Sequence, residues 1–72
     1  MQNEKRTSLK VFRVKHGLSQ EQIAAKLGFS RGHYAKFENG EQDITLRFLE
    51  ALTTVFGISF DEAKSISKRD NE

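Results

Sequence analysis

The 72-residue sequence predicts an all-α fold, and three observations predict it. Proline is absent, and β-branched residues nowhere alternate with polar ones for the length of a strand. Apolar residues instead recur three and four apart, the spacing that lines up one face of a helix. Single glycines at positions 17, 28, 40 and 57 separate these stretches, with Ser or Thr placed to open most of them. The pattern resolves into five short helices.

Residues 1–6 carry Lys5 and Arg6 without periodicity and read as a frayed end, or a basic arm over a phosphate. Thr7 or Ser8 is placed to cap a first helix running to about His16. Leu9, Phe12 and His16 share its inner face, Val11 and Val14 face outward, and Gly17 stops it. Leu18 is positioned to staple against Ile23. Ser19 and Gln22 form the Ser-x-x-Gln box that satisfies free amides at a helix start. Ile23, Ala24 and Leu27 then make one stripe on a second helix, which Gly28 ends. Ser30 opens a third helix with Tyr34 and Phe37 inward, and Asn39-Gly40 closes it. Two helices of about two turns joined by a tight glycine turn form a helix-turn-helix.

After the polar loop Glu41-Gln42-Asp43, Ile44 tucks beneath it and Thr45 caps a fourth helix reaching Phe56, with Gly57 as its stop. Leu46, Leu49, Leu52 and Phe56 form its expected inner stripe, with Phe48 and Val55 on a second apolar strip. A fifth helix starts at Ser59, with Glu62 as box partner and Phe60 and Ala63 inward, and loses its pattern after Ile66. Lys68 to Glu72 reads as a disordered tail. The expected organisation is one domain over residues 1–72, ordered from about 7 to 66, with flexible ends at 1–6 and 67–72.

Composition narrows the function. With no Cys and no Cys/His pair at ligand spacing, neither disulfides nor a metal site can staple the fold. No apolar run reaches membrane-spanning length and MQNEKRTS lacks a signal-peptide core, so a cytoplasmic protein without membrane contact is expected. Ser, His, Asp and Glu are present, but nothing assembles a nucleophile, its base and an oxyanion donor, and no glycine-rich loop cradles a phosphate. An enzyme is not indicated, nor is a cofactor or small-molecule ligand.

Charge is sorted along the chain. From Lys5 to Lys36, eight Lys or Arg stand against Glu21 alone, whereas from Phe37 to Glu62 only Arg47 opposes six acids. A basic half and an acidic half suit a protein that turns one face to a polyanion. The outward positions of the third helix are Arg31, Gly32, His33, Ala35 and Lys36, with no acid among them. That is the shape and sign of a probe for a DNA groove. Arg carries the planar fork that matches guanine O6 and N7, which makes Arg31 the first candidate for base readout, a phosphate contact being the alternative. Lys36 is better suited to phosphate than to base, and His33 can donate to either. Gln20 and Ser30 stand at helix starts, where free amides and the dipole favour an anion. Lys10 completes the expected phosphate contacts on the basic half. Arg13, beside the inner face of the first helix, can pair with Glu38 and tie that helix to the third. Phe48, Val55, Ile58 and Ile66 offer apolar surface beyond one small core, which points to a homodimer.

Taken together, Leu9-x-x-Phe12-Arg13, Gly17-Leu18-Ser19-Gln20, Ile23-Ala24-x-x-Leu27-Gly28, Phe37-Glu38-Asn39-Gly40 and Leu46-x-x-Leu49 resemble the Cro and phage-repressor (Xre-like) helix-turn-helix family, over residues 8 to 64 or so. The resemblance implies a five-helix phage-repressor-like domain that binds double-stranded DNA in the major groove, usually as a two-fold dimer on a palindromic operator, to regulate transcription. By position it implies a close helix crossing at Ala24, an Arg13–Glu38 ion pair and a phosphate contact at Gln20. It places Ser30, Arg31, Gly32, His33 and Lys36 toward DNA, and Asn39 with the following loop near the backbone. Tyr34 departs from the Val or Ile usual at its position, which predicts a third helix set slightly further from the core. Gly32 stands where many members carry a reading side chain, leaving more discrimination to Arg31 and His33. The alternative function on the same fold is a protein-interaction module or an antitoxin-type regulator.

Overall fold

Side-chain oxygens open four of the five helices found among residues 5–70, the part of the chain that the computed structural model describes. The helices are α1 (Thr7–Lys15), α2 (Gln20–Leu27), α3 (Arg31–Glu38), α4 (Leu46–Phe56) and α5 (Phe60–Ile66). Ser19 Oγ accepts from the Gln22 amide at 3.1 Å, and the Gln22 side chain accepts from the Ser19 amide at 2.9 Å. Ser30, Thr45 and Ser59 each accept from the amide three residues on. Caps of this kind contribute about 1 kcal/mol each. Gly28 and Gly57 end α2 and α4 with φ of 82° and 67°, a conformation in which a Cβ is strained.

The core gathers Leu9 from α1, Ile23, Ala24 and Leu27 from α2, Tyr34 and Phe37 from α3, Phe48 and Leu52 from α4, and Ala63 from α5. Ala24 on α2 is 1 % exposed, and α2 packs on α3. Behind this pair α4 packs on α2 and α5, while α1 bridges α3 and α5.

Helix α4 turns Leu49, Leu52 and Phe56 of its expected inner stripe to the core, but Phe48 is buried in place of Leu46. Phe48 is fully buried, its ring 4.5 Å from that of Phe37 and 5.7 Å from Phe29, whereas Leu46 is 61 % exposed. Leu46 is the first residue of α4, at the solvent end of its face, and the larger Phe48 ring takes the central seat. Phe60, the first residue of α5, is likewise 40 % exposed, with Lys64 Nζ 5.5 Å above its ring. His16 is exposed rather than inward. It ends α1, packs on Phe12 and Phe56 at 4.4 and 4.9 Å, and its Nδ1 lies 2.8 Å from the Phe12 carbonyl.

The described parts of the two ends, residues 5–6 and 67–70, depart from the expected frayed end and disordered tail. Arg6, 3 % exposed, donates through its side chain to the carbonyls of Phe37, Gln42 and Ser67 and through its amide to that of Glu38. Ser67 is buried, and Arg69 pairs with Asp43. The cap of α1 is neither Thr7 nor Ser8; Arg6 occupies that position without a side-chain cap, and Asp70 accepts from both the amide and the hydroxyl of Thr7. Residues 1–4 and 71–72 of the expected flexible ends lie outside the described residues.

Candidate nucleic-acid interface

Helix α3 sorts its side chains by sign as well as by polarity. Tyr34 and Phe37 face inward with no exposed surface, while Arg31, Gly32 and Lys36 are exposed, as are Ser30 and Asn39 at the two ends. The one acid of α3, Glu38, is 5 % exposed. Arg13 grips it with two parallel bonds, Nε to Oε2 at 2.9 Å and Nη2 to Oε1 at 3.1 Å. Tyr34 Oη donates to Oε2 at 2.7 Å and Gln20 Nε2 to Oε1 at 3.1 Å. Arg13 Nη1 also donates to the Leu18 carbonyl, so α1, α2 and α3 meet at one carboxylate.

Burial by itself pushes the Glu38 carboxyl up, but the hydrogen bonds from Arg13, Tyr34 and Gln20 outweigh it and hold the group below its ordinary value. Burial, and then the bond to Glu38, push the Tyr34 hydroxyl well above its usual range. The carboxylate therefore stays charged and satisfied inside, and the outer side of α3 carries cations only.

The expected reading residues separate into two groups. Arg31 and Lys36 project from the surface, and Gly32 leaves open space between them, since a Cβ there would meet nothing within 4 Å. His33 is half-buried: its ring stacks on Phe37 at 4.9 Å, meets Phe29 edge-on at 5.1 Å, and places Nε2 3.0 Å from the donating Gln42 amide. Its ring packs at the start of α3, and Arg31 and Lys36 are the polar side chains of this helix that stand exposed.

Three of the expected phosphate contacts converge. Lys10, Gln20 and Asn39 line one depression of about 260 Å³ at the junction of α1, α2 and the end of α3, with Lys5 on its edge and Arg13 and Glu38 at its base. The Gln20 side chain donates into the Glu38 network there. Ser30 lies apart from this depression, at the other end of α3, where its hydroxyl caps the helix.

The expected dimer surface is only partly available. Phe48 is core, seated among the aromatic rings, and Ile58 and Ile66 are half-buried against the core. Val55, 41 % exposed, remains at the surface.

Two participants escaped sequence reasoning. The Tyr34 hydroxyl was hidden behind the ring's role in the core, although Tyr34 and Glu38 stand i, i+4 on one helix, a spacing at which side chains meet. Arg47, in the acidic half of the sequence, lies with Cζ 5.6 Å over the Phe29 ring beside the start of α3. No local signal announces a contact between residues so far apart in the chain. Among the described residues no three His, Cys, Asp or Glu cluster as metal ligands, and no helix is long and apolar enough to cross a membrane.

The chain matches the family model described as helix-turn-helix over residues 9–62. It is 33 % identical over 57 residues to an uncharacterised HTH-type transcriptional regulator of Methanocaldococcus jannaschii, covering 79 % of this chain and 86 % of that one. Control protein C.MunI of a Mycoplasma species is 36 % identical over 53 residues, covering 74 % of this chain and 72 % of the relative. An uncharacterised HTH-type regulator from the SPbeta prophage of Bacillus subtilis, YonR, is 38 % identical over 53 residues, 49 % of its length. With a capped helix pair joined through Gly28, a buried Ala24 on α2 and a cationic outer face on α3, the chain belongs to the Xre-like helix-turn-helix family of DNA-binding transcriptional regulators.

Proposed function

We propose that the chain binds a palindromic operator as a homodimer, each copy inserting α3 into the major groove of one half-site. The carrying observation is the charge sorting on α3: its single acid is drawn inside and neutralised, while Arg31 and Lys36 stand outward. In this reading Arg31 takes a guanine edge, Gly32 admits the backbone close to the groove wall, and Lys36 meets a phosphate. Lys10, Gln20 and Asn39 hold a second phosphate at their shared depression, and Ser30 a third at the start of α3. One recognition helix spans only a few base pairs, so usable specificity calls for two half-sites about 34–36 Å apart.

Selection of binding sites from random duplex DNA, with the wild type and two variants, tests this. Arg31→Ala lowers discrimination at one base pair per half-site by about 1–3 kcal/mol. Lys36→Ala weakens all sequences alike and flattens the dependence of affinity on salt. An unchanged consensus with Arg31→Ala reduces Arg31 to a backbone contact. A wild type that enriches no site removes the operator reading altogether.

A further inference from the structure

Helix α1 begins without a local cap: Arg6, at the cap position, makes no side-chain bond to the first amides of the helix, and no acid stands in the first turn. The first amides of a helix need a partner. Here it comes from the far end of the chain, because Asp70 Oδ1 accepts from the Thr7 amide at 3.0 Å and its other oxygen accepts from the Thr7 hydroxyl. The Asp70 amide in turn donates to the Lys5 carbonyl at 3.0 Å. One residue thus bonds on both sides of Arg6, whose own side chain runs inward to three carbonyls. Lys5, held between Asp70 and the buried Arg6, lies on the edge of the depression that Lys10, Gln20 and Asn39 share.

We propose that Asp70 is a positioning residue for DNA: by clasping Lys5 and Thr7 it keeps Lys5 at the rim of the phosphate-binding depression, adding a backbone contact to each half-site. This rests on the DNA reading given above. It also predicts a sign that simple electrostatics reverses. Removing an acid from a protein that binds a polyanion ordinarily strengthens binding. Removing this one weakens it, because the nearby cation loses its place.

The test measures affinity of the full chain for a selected duplex over a range of salt concentrations, for wild type, Lys5→Ala, Asp70→Ala, the double variant and Asp70→Asn. Lys5→Ala and Asp70→Ala each weaken binding several-fold and lower the salt slope by about 0.9, the value of one phosphate neutralised. The double variant is no worse than either single one, as expected when both remove the same contact. The backbone donor at position 70 survives in every variant, but Asp70→Asn also keeps a side-chain oxygen for the Thr7 amide, and it restores most of the affinity despite lacking the charge. A purely structural clasp would lower the melting temperature of Asp70→Ala and leave the salt slope in place. Asp70→Ala binding as well as wild type, or additive losses in the double variant, would overturn the positioning role while leaving the DNA reading intact. A wild type that holds no duplex at any salt overturns both.

Discussion

Glu38 shows how one residue can reconcile a helix's sequence with its surface. An acid on a helix meant for a polyanion is a liability, and the fold disposes of it by burial under Arg13, Tyr34 and Gln20. A hydrogen bond to a charged group contributes roughly 1.5–3 kcal/mol, so Tyr34→Phe, which keeps the ring and deletes the donor, lowers stability by about that amount in urea titration at neutral pH. An unchanged unfolding midpoint would mean that Arg13 and Gln20 satisfy the carboxylate without it. The pH dependence follows from the direction of the Glu38 shift. Because the folded group titrates below its unfolded value, its stabilisation is complete above the ordinary carboxylate range and is lost as pH falls through the lowered value. Thermal melts at decreasing pH should fall more steeply below about pH 4 for wild type than for Glu38→Gln, which has no proton to take up. Parallel slopes for the two proteins would rule out this linkage. Of this cluster, Arg13–Glu38 was legible from position, whereas Tyr34 Oη was not, because an aromatic at an inward helical position reads as packing and its hydroxyl's partner depends on rotamer.

At the scale of the element, caps were more readable than phases. Ser19, Ser30, Thr45 and Ser59 each bond within three residues, so the chemistry that starts α2 to α5 is local and visible in the sequence. The burial of Phe48 is not local. The period of the helix favoured Leu46 for the inner stripe, and the aromatic rings of Phe29, Tyr34 and Phe37 drew in Phe48 instead. Helix α3 carries an internal glycine whose added Cβ would meet nothing within 4 Å, at a position without a positive φ. Gly32→Ala therefore stabilises the protein by about 0.5–1 kcal/mol, read as a higher melting temperature. DNA affinity measured on the same variant separates two roles for the glycine: a fall despite the gain in stability marks a close approach to the groove wall, and a rise marks a helix that was merely weak. A lower melting temperature would contradict the open space around Gly32.

For the whole molecule, the question is which apolar surface is left once the core is satisfied. Phe48 belongs to the core, so Phe48→Ala costs about 3–5 kcal/mol and unfolds the chain at lower temperature rather than merely dissociating a dimer. Val55 is the member of the expected interface that remains exposed, and Val55→Lys should leave the fold intact while lowering self-association. Sedimentation at micromolar concentration, free and on operator DNA, reads both; a wild-type monomer in both states would end the homodimer proposal. The sequence by itself determined the number and order of the helices, the caps that open α2 to α5, and the acid-free outer face of α3, because each depends on residues within one or two turns. Only the tertiary structure decided the burial of Phe48 in place of Leu46, the burial of Arg6, the clasp of Asp70 on Thr7 and the approach of Arg47 to Phe29. Those contacts join residues 11 to 63 positions apart, and which of several similar apolar or charged candidates makes them is settled by the space that the packed helices leave.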